Sequence, residues 1–213
     1  MERSFATPFC RCGLRRQGST WIAVALALIA FLPHQSSAHT GTGLPGGFAS
    51  GFMHPLGGFD HLLAMVSVGL WGAFLGRPLI YVLPVVFPVM MVAGAILGMF
   101  SVTLSQSELV IAISVLTLGA CISLAIRAPV WAATLVVAVF AVYHGYAHGK
   151  ELPSAADPFG YSAGFVLVTG LLHLSGIALG TLNAWPGGVV ATRSIGAAIA
   201  LIGVWFAYRA VGA

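Results

Sequence analysis

Six stretches of about 20 mostly apolar residues follow one another along this chain, and they constrain its fold more than any other feature. A helix of about 20 apolar residues is long enough to cross the hydrocarbon core of a bilayer. In lipid every backbone N–H and C=O group must be paired internally, which a helix achieves within one segment. The sequence therefore predicts an all-α, polytopic membrane helix bundle with six transmembrane helices. The predicted spans are 56–75, 79–100, 108–126, 130–148, 158–179 and 194–210.

The composition agrees with a membrane protein. Hydrophobic residues make up 59% of the chain and charged residues 7%. Soluble domains average about 45–50% hydrophobic residues and about 25% charged residues. The net charge of +4 comes from the N-terminal segment, since four arginines and one glutamate precede residue 39 and leave five basic and four acidic residues after it. We therefore expect a lipid bilayer around the protein and no nucleic acid partner.

Residues 1–38 have the pattern of a cleavable signal peptide. An arginine-rich segment precedes an apolar run at about 21–32, and small residues follow at 36–38. Cleavage there would make His39 the first residue of the mature chain, so that its α-amine and imidazole could bind one metal ion together. The mature transmembrane domain is predicted at 39–213, and an uncleaved signal anchor is the alternative.

The placement of the arginines predicts the orientation. If the mature N-terminus is exported, Arg77, Arg127 and Arg193 fall in three connections on one side of the membrane, and only Lys150 and Arg209 fall on the other. Cytoplasmic loops carry an excess of lysine and arginine. We therefore expect a multi-pass protein of the bacterial inner (cytoplasmic) membrane with a periplasmic mature N-terminus.

Two histidines and a carboxylate stand at the head of the first predicted span. A charged group at the centre of a membrane helix costs about 2.5–3.5 kcal/mol, so His54, Asp60 and His61 are expected to have a function. On a straight helix the two histidines would be about 10 Å apart. The intervening proline and glycines at 55, 57 and 58 could shorten that distance, or the histidines could be successive positions on a path. Asp60 could be a ligand, a partner that orients a histidine, or a proton carrier.

A second pair of histidines ends the fourth predicted span. His144 and His148 are four residues apart, so they share a helix face and can chelate one ion. His173 stands alone deep in the fifth span, where a structural hydrogen bond is the simpler interpretation. Imidazole nitrogen suits nickel, copper, zinc and cobalt. The candidate metal ligands are His54, Asp60, His61, His144 and His148. Candidates for a further metal or proton path are His39, Glu108, Glu151 and His173.

Three segments resemble those of a known family. They are 51–65 with 68–71, which contain His-Pro-Leu-Gly-Gly-Phe-Asp-His, then 144–153, and more weakly 173–177. With these segments the chain resembles the HupE/UreJ family of nickel-permease-like membrane proteins. The resemblance implies nickel handling in connection with hydrogenase or urease assembly, and cobalt is an alternative cargo with the same ligands. It also implies that His54, Asp60 and His61 form the transport motif and that His144, His148 and Glu151 form a second polar cluster.

The prediction is therefore a permease that carries nickel ions from periplasm to cytoplasm. We expect no catalytic residue and no permanently bound cofactor, since the ion is the cargo, and association into a homo-oligomer stays open. Two alternatives remain. One is an accessory membrane protein that binds metal without transporting it. The other is an intramembrane zinc-dependent hydrolase, for which serine hydroxyls are available but no nucleophile motif is present.

Overall fold

In the computed structural model, residues 47–151 and 157–212 are described, and this part of the chain is helical without strands. The predicted signal peptide and His39 lie outside the described residues, as does the side chain of Glu151. The helices are α1 (Phe48–Gly57), α2 (Phe59–Leu75), α3 (Leu79–Met99), α4 (Ser107–Ser123), α5 (Val130–Glu151), α6 (Pro158–Gly180) and α7 (Gly188–Gly212). A short 3-10 turn, Thr181–Ala184, lies between α6 and α7.

The prediction of an all-helical membrane protein is confirmed, with differences in two spans. Among the described residues four helices, α3, α5, α6 and α7, are long and apolar enough to cross a membrane, or five spans if the bent pair α1 and α2 counts as one, against the six predicted. The first predicted span is two helices, because α1 and α2 meet at a break bent by 86°. Pro55 and the glycines at 57 and 58 explain the break, since proline removes a helical hydrogen bond and glycine weakens the helix. α4 is 17 residues long, shorter than predicted, because Ala125 adopts a left-handed conformation after it.

Close glycine contacts define how the helices pair and in which direction. Gly94 on α3 packs on the backbone of Val142, and Gly98 packs on that of Tyr146, so α3 and α5 run parallel. Similar contacts make α2 and α6 parallel and α4 and α7 antiparallel. The end of α5 lies beside the start of α2, through His148 and His61, and beside the start of α4, through Tyr146 and Leu104, so the helices α2 to α7 alternate in direction. α2 lies centrally and contacts α3, α4, α6 and, to a smaller extent, α7.

The distribution of polarity is inverted relative to a soluble protein. Large apolar side chains point outward, among them Val85, Val89 and Leu201, while five histidines of the described residues are buried. Lipid can solvate the apolar outer faces, whereas a polar group facing lipid would lose its water without compensation. The outer surface therefore fits a bilayer, and the polar side chains face the bundle interior.

Polar side chains close both ends of the bundle. Asp157 caps α6, because its carboxylate accepts a hydrogen bond of 3.0 Å from the Gly160 N–H. At the opposite end the Arg193 Nε–H donates to the Ser123 carbonyl over 2.7 Å, which satisfies a C-terminal carbonyl of α4. The histidine-bearing end of α5 is held near the start of α4, since the Leu104 N–H donates to the Tyr146 hydroxyl over 3.2 Å.

Candidate functional site

Four of the predicted site histidines meet at one end of the bundle, and we call them the histidine cluster: His54 on α1, His61 on α2, and His144 and His148 on α5. The His148 ring centre lies 4.8 Å from that of His54 and 4.5 Å from that of His61. The ring centres of His61 and His144 are 5.0 Å apart. All four side chains are buried. The structure thus brings the imidazoles of α1 and α2, which are neighbours in sequence, together with those of α5, which is distant in sequence.

The break between α1 and α2 lies between the two histidines of the first motif. Both His54 and His61 contact the same His148 ring, so one imidazole of α5 bridges the two sides of the break. Gly58 lies at the break, and a Cβ added there would come within 3.2 Å of both Asp60 Oδ1 and His61 Nδ1. Glycine at this position therefore leaves room for the carboxylate and the imidazole to face each other.

Asp60 orients His61. One carboxylate oxygen of Asp60 accepts hydrogen bonds of 2.9 Å from both the backbone N–H and the ring Nδ1–H of His61. An ionised carboxylate only accepts hydrogen bonds, so the proton of the imidazole is held on Nδ1. The lone pair of His61 is then on Nε2. A carboxylate behind a histidine in this way is the usual support of a metal-binding imidazole.

His144, like His61, is oriented by an oxygen that accepts a hydrogen bond from its Nδ1–H, and here the oxygen belongs to the backbone. Its Nδ1–H donates to the Phe140 carbonyl, four residues earlier on α5, over 2.8 Å. A carbonyl cannot donate, so the lone pair of His144 is on Nε2, and that atom makes no hydrogen bond within the described residues. A buried nitrogen with an unused lone pair costs free energy, about 1–3 kcal/mol, and calls for a functional explanation.

Three aromatic side chains line the histidine cluster, and the sequence reasoning did not single them out. Phe165 on α6 lies 4.6 Å from His148 between ring centres, and Tyr161, one turn earlier, lies 5.8 Å from His54. Phe87 on α3 contacts His144 at 5.5 Å. The four-residue spacing from Tyr161 to Phe165 is a signal that could have placed both on one face of α6.

Two glycines set the position of the histidines on α5. Gly145 follows His144, and a Cβ added to it would overlap the backbone carbonyl of Met91 on α3. Gly149 follows His148, and its Cβ would overlap the carbonyl of Ala95 in the same way. Small residues that allow such backbone approach are typical of membrane helix interfaces. The α3–α5 contact thus fixes the height and rotation of both histidines.

The spacing within the histidine cluster fits shared metal ligation by pairs of histidines. A metal–nitrogen bond of about 2.0–2.1 Å puts a bound imidazole's centre about 3.2 Å from the ion, so two rings at 90–109° are about 4.5–5.2 Å apart. The observed separations of 4.5–5.0 Å lie in that range. Within the described residues, however, no group of three or more His, Cys, Asp or Glu side chains is placed to hold a metal ion.

The remaining candidates are outside the cluster or outside the described residues. Glu108 lies in the first turn of α4, at the same end of the bundle, with an exposed side chain. His173 is buried on α6 and contacts Phe87 at 5.3 Å between ring centres. Met53, next to His54 in sequence, is 61% exposed and points away from the interior.

An outer surface that suits lipid and a buried cluster of histidines define the class of this protein: a helical membrane protein with a polar interior site. The family model described as HupE / UreJ protein matches residues 25–206. Protein HupE of Rhizobium leguminosarum bv. viciae is 39% identical over 182 residues, which cover 85% of this chain and 94% of that protein. The chain belongs to the HupE/UreJ family. No solved structure matches it.

Proposed function

We propose that this protein is a permease of the bacterial inner membrane that imports nickel ions from the periplasm. The observation that carries the proposal is the histidine cluster, in which four buried imidazoles from three helices lie within 4.5–5.0 Å of a neighbour. Buried ionisable groups are costly in a membrane protein and are usually found on ion pathways. Imidazole nitrogen favours nickel over harder ions such as magnesium. Cobalt is the alternative cargo, because the same ligands suit it.

The proposed topology has six crossings, with α1 and α2 together forming one broken span. The alternating directions of α2 to α7 support this arrangement. The histidine cluster then lies at the periplasmic side, and Arg77, Arg127 and Arg193 lie at the cytoplasmic side. Broken membrane helices at an ion site are a recurring feature of secondary transporters.

In the proposed mechanism the histidine cluster replaces part of the water shell of the incoming ion. His61 and His144 offer their Nε2 lone pairs, because Nδ1 of each is held by an oxygen acceptor. The charge of Asp60, 2.9 Å from His61, lowers the cost of a cation in this low-dielectric interior. Binding must be strong enough to select the ion and weak enough to release it inward.

The cellular role follows from the family resemblance: nickel supplied to hydrogenase or urease assembly. Glu108 and Glu151 are proposed to attract cations at the periplasmic end, and His39 to add a ligand if the signal peptide is removed there. The accessory alternative predicts metal binding without flux. The hydrolase alternative receives little support, since the Ser114 and Ser175 hydroxyls donate to carbonyls of their own helices over 2.6 and 2.7 Å.

The deciding experiment is radiolabelled nickel uptake in a strain without other nickel importers, at matched membrane levels of protein. The wild type should import nickel, and His61→Ala and His61→Gln should not, because neither offers an imidazole. Gly170→Ala is the matched control, since Gly170 is exposed and an added Cβ meets no atom within 4 Å. Nickel binding without uptake by the wild type would favour the accessory protein, and lipid or amide hydrolysis would favour the enzyme.

A further inference from the structure

A second pair of buried polar side chains lies deeper in the bundle on α6. Thr169 and His173 are each 1% exposed, and they are four residues apart, so they share one helix face. Neither the Thr169 hydroxyl nor a ring nitrogen of His173 makes a hydrogen bond of full geometry within the described residues. Each such buried group costs about 1–3 kcal/mol. Two of them one turn apart indicate a role that close packing alone does not supply.

The same face of α6 leads from the histidine cluster to this pair. Phe165 contacts His148 in the cluster, and His173 follows eight residues, or about 12 Å, further along the helix. Phe87 stands between the two sites, because its ring contacts His144 at 5.5 Å and His173 at 5.3 Å. A single aromatic ring therefore separates the last imidazole of the cluster from His173.

A third polar atom near His173 is the Pro84 carbonyl oxygen of α3, which has no hydrogen-bond partner within its own helix. In a helix the carbonyl of Pro84 would accept from the N–H of residue 88, but residue 88 is proline and has no N–H. That carbonyl lies near the His173 ring, in a geometry short of a full hydrogen bond. On the other side of His173, Gly69 allows the α2 backbone to approach so closely that an added Cβ would overlap the His173 carbonyl oxygen. His173 is thus held between α2 and α3.

We propose that the His173 imidazole, the Thr169 hydroxyl and the Pro84 carbonyl form a second binding site for the transported divalent cation, reached from the histidine cluster by movement past Phe87. This inference rests on the proposed transport function. One nitrogen and two neutral oxygens hold a borderline cation less firmly than several imidazoles do. An ion that has left the cluster would therefore bind here weakly and dissociate readily toward the cytoplasm.

The test uses purified full-length protein, with nickel binding measured at equilibrium and nickel flux measured in proteoliposomes. His173→Ala should bind one ion fewer than the wild type, keep binding at the histidine cluster, and transport at least tenfold more slowly. His173→Gln distinguishes the loss of a metal ligand from the loss of a structural contact with α3. The glutamine amide can still donate a hydrogen bond toward the Pro84 carbonyl, but it offers no imidazole nitrogen to the ion. We expect His173→Gln to transport as poorly as His173→Ala.

A matched pair of threonine variants tests the hydroxyl. Thr169→Ala should slow flux, whereas Thr192→Ala should not, although Thr192 is also 1% exposed with a hydroxyl that lacks a hydrogen bond in the described residues. With cobalt as a probe, loss of His173 should remove one component of the visible absorption spectrum.

Two results would overturn the inference, and they are distinguishable. If the wild type transports nickel and His173→Gln matches it in flux and in ions bound, the second site is wrong while the permease stands. If the wild type shows no flux at all, the proposed transport fails, and the second site fails with it.

Discussion

Replacing Gly145 by alanine tests how the packing of the bundle positions the site. α3 and α5 approach through paired Gly-x-x-x-Gly segments, Gly94 with Gly98 and Gly145 with Gly149. A Cβ on Gly145 would overlap the backbone carbonyl of Met91. A flexible side chain could turn aside, but a helix backbone cannot, so the two helices must separate.

The size of the effect follows from this overlap. Overpacking of a tight contact lowers the free energy of unfolding by about 1–3 kcal/mol. The better helix propensity of alanine offsets at most about 1 kcal/mol of that loss. We therefore expect Gly145→Ala to lower the free energy of unfolding by about 1–2 kcal/mol. The movement also displaces the neighbouring His144 and His148, and ligands must be held within about 0.5 Å for a site to work well. Nickel uptake should fall at least tenfold.

The measurement combines thermal unfolding in detergent with radiolabelled nickel uptake at matched protein levels. Gly170→Ala is the control, because Gly170 is also in a helix but an added Cβ meets no atom within 4 Å. That variant should be as stable as the wild type, or slightly more so, with unchanged uptake. Should Gly145→Ala unfold and transport like the wild type, the α3–α5 contact does not position the histidines.

Three further predictions concern the site and its supports. His54→Ala and His61→Ala should each abolish nickel uptake at normal protein levels, and intact flux in both variants would contradict the site assignment. Asp60→Asn keeps an acceptor oxygen for His61 and should weaken nickel binding about tenfold, whereas Asp60→Ala should weaken it about 100-fold, as titration of the purified variants would measure. Trp71→Phe removes the hydrogen bond of 3.3 Å to the Ile126 carbonyl and should cost about 1 kcal/mol of stability without changing uptake per molecule, a result checked by unfolding and uptake together.

The features that the sequence predicted correctly depend on local patterns. Apolar length identified the long helices α3, α5, α6 and α7. Helical periodicity placed His144 and His148 on one face. In six spans that alternate in direction, the end of the fourth span lies on the side where the first span begins, which is where His54 and His61 stand. These inferences need only the period of a helix and the thickness of a bilayer, so no tertiary contact has to be known.

The features that were not predicted depend on contacts between helices. Proline and glycine at 55, 57 and 58 indicated where the helix could break, but the 86° angle of the bend and the packing of α1 and α2 on α6 depend on contacts that the sequence does not show. Phe87 and Phe165 reach the histidines because of how α3 and α6 are rotated in the bundle. A phenylalanine in a membrane helix gives no sign in sequence of whether it faces lipid or an ion site.

The different burial of the histidines suggests the order in which a transported ion would contact them. His54 and His148 are 8% and 6% exposed, whereas His61 and His144 are 1% and 0% exposed, and His173 lies beyond Phe87. The bend at Gly58 creates this order, because it sets the more exposed His54 and the deeper His61 against the same His148 ring. An ion could then exchange ligands one at a time instead of losing all its water in one step, which keeps each barrier small. In this arrangement His148 is the ligand shared by entry and by deeper binding, so His148→Ala should abolish nickel uptake as completely as His54→Ala does, as radiolabelled uptake at matched protein levels would measure.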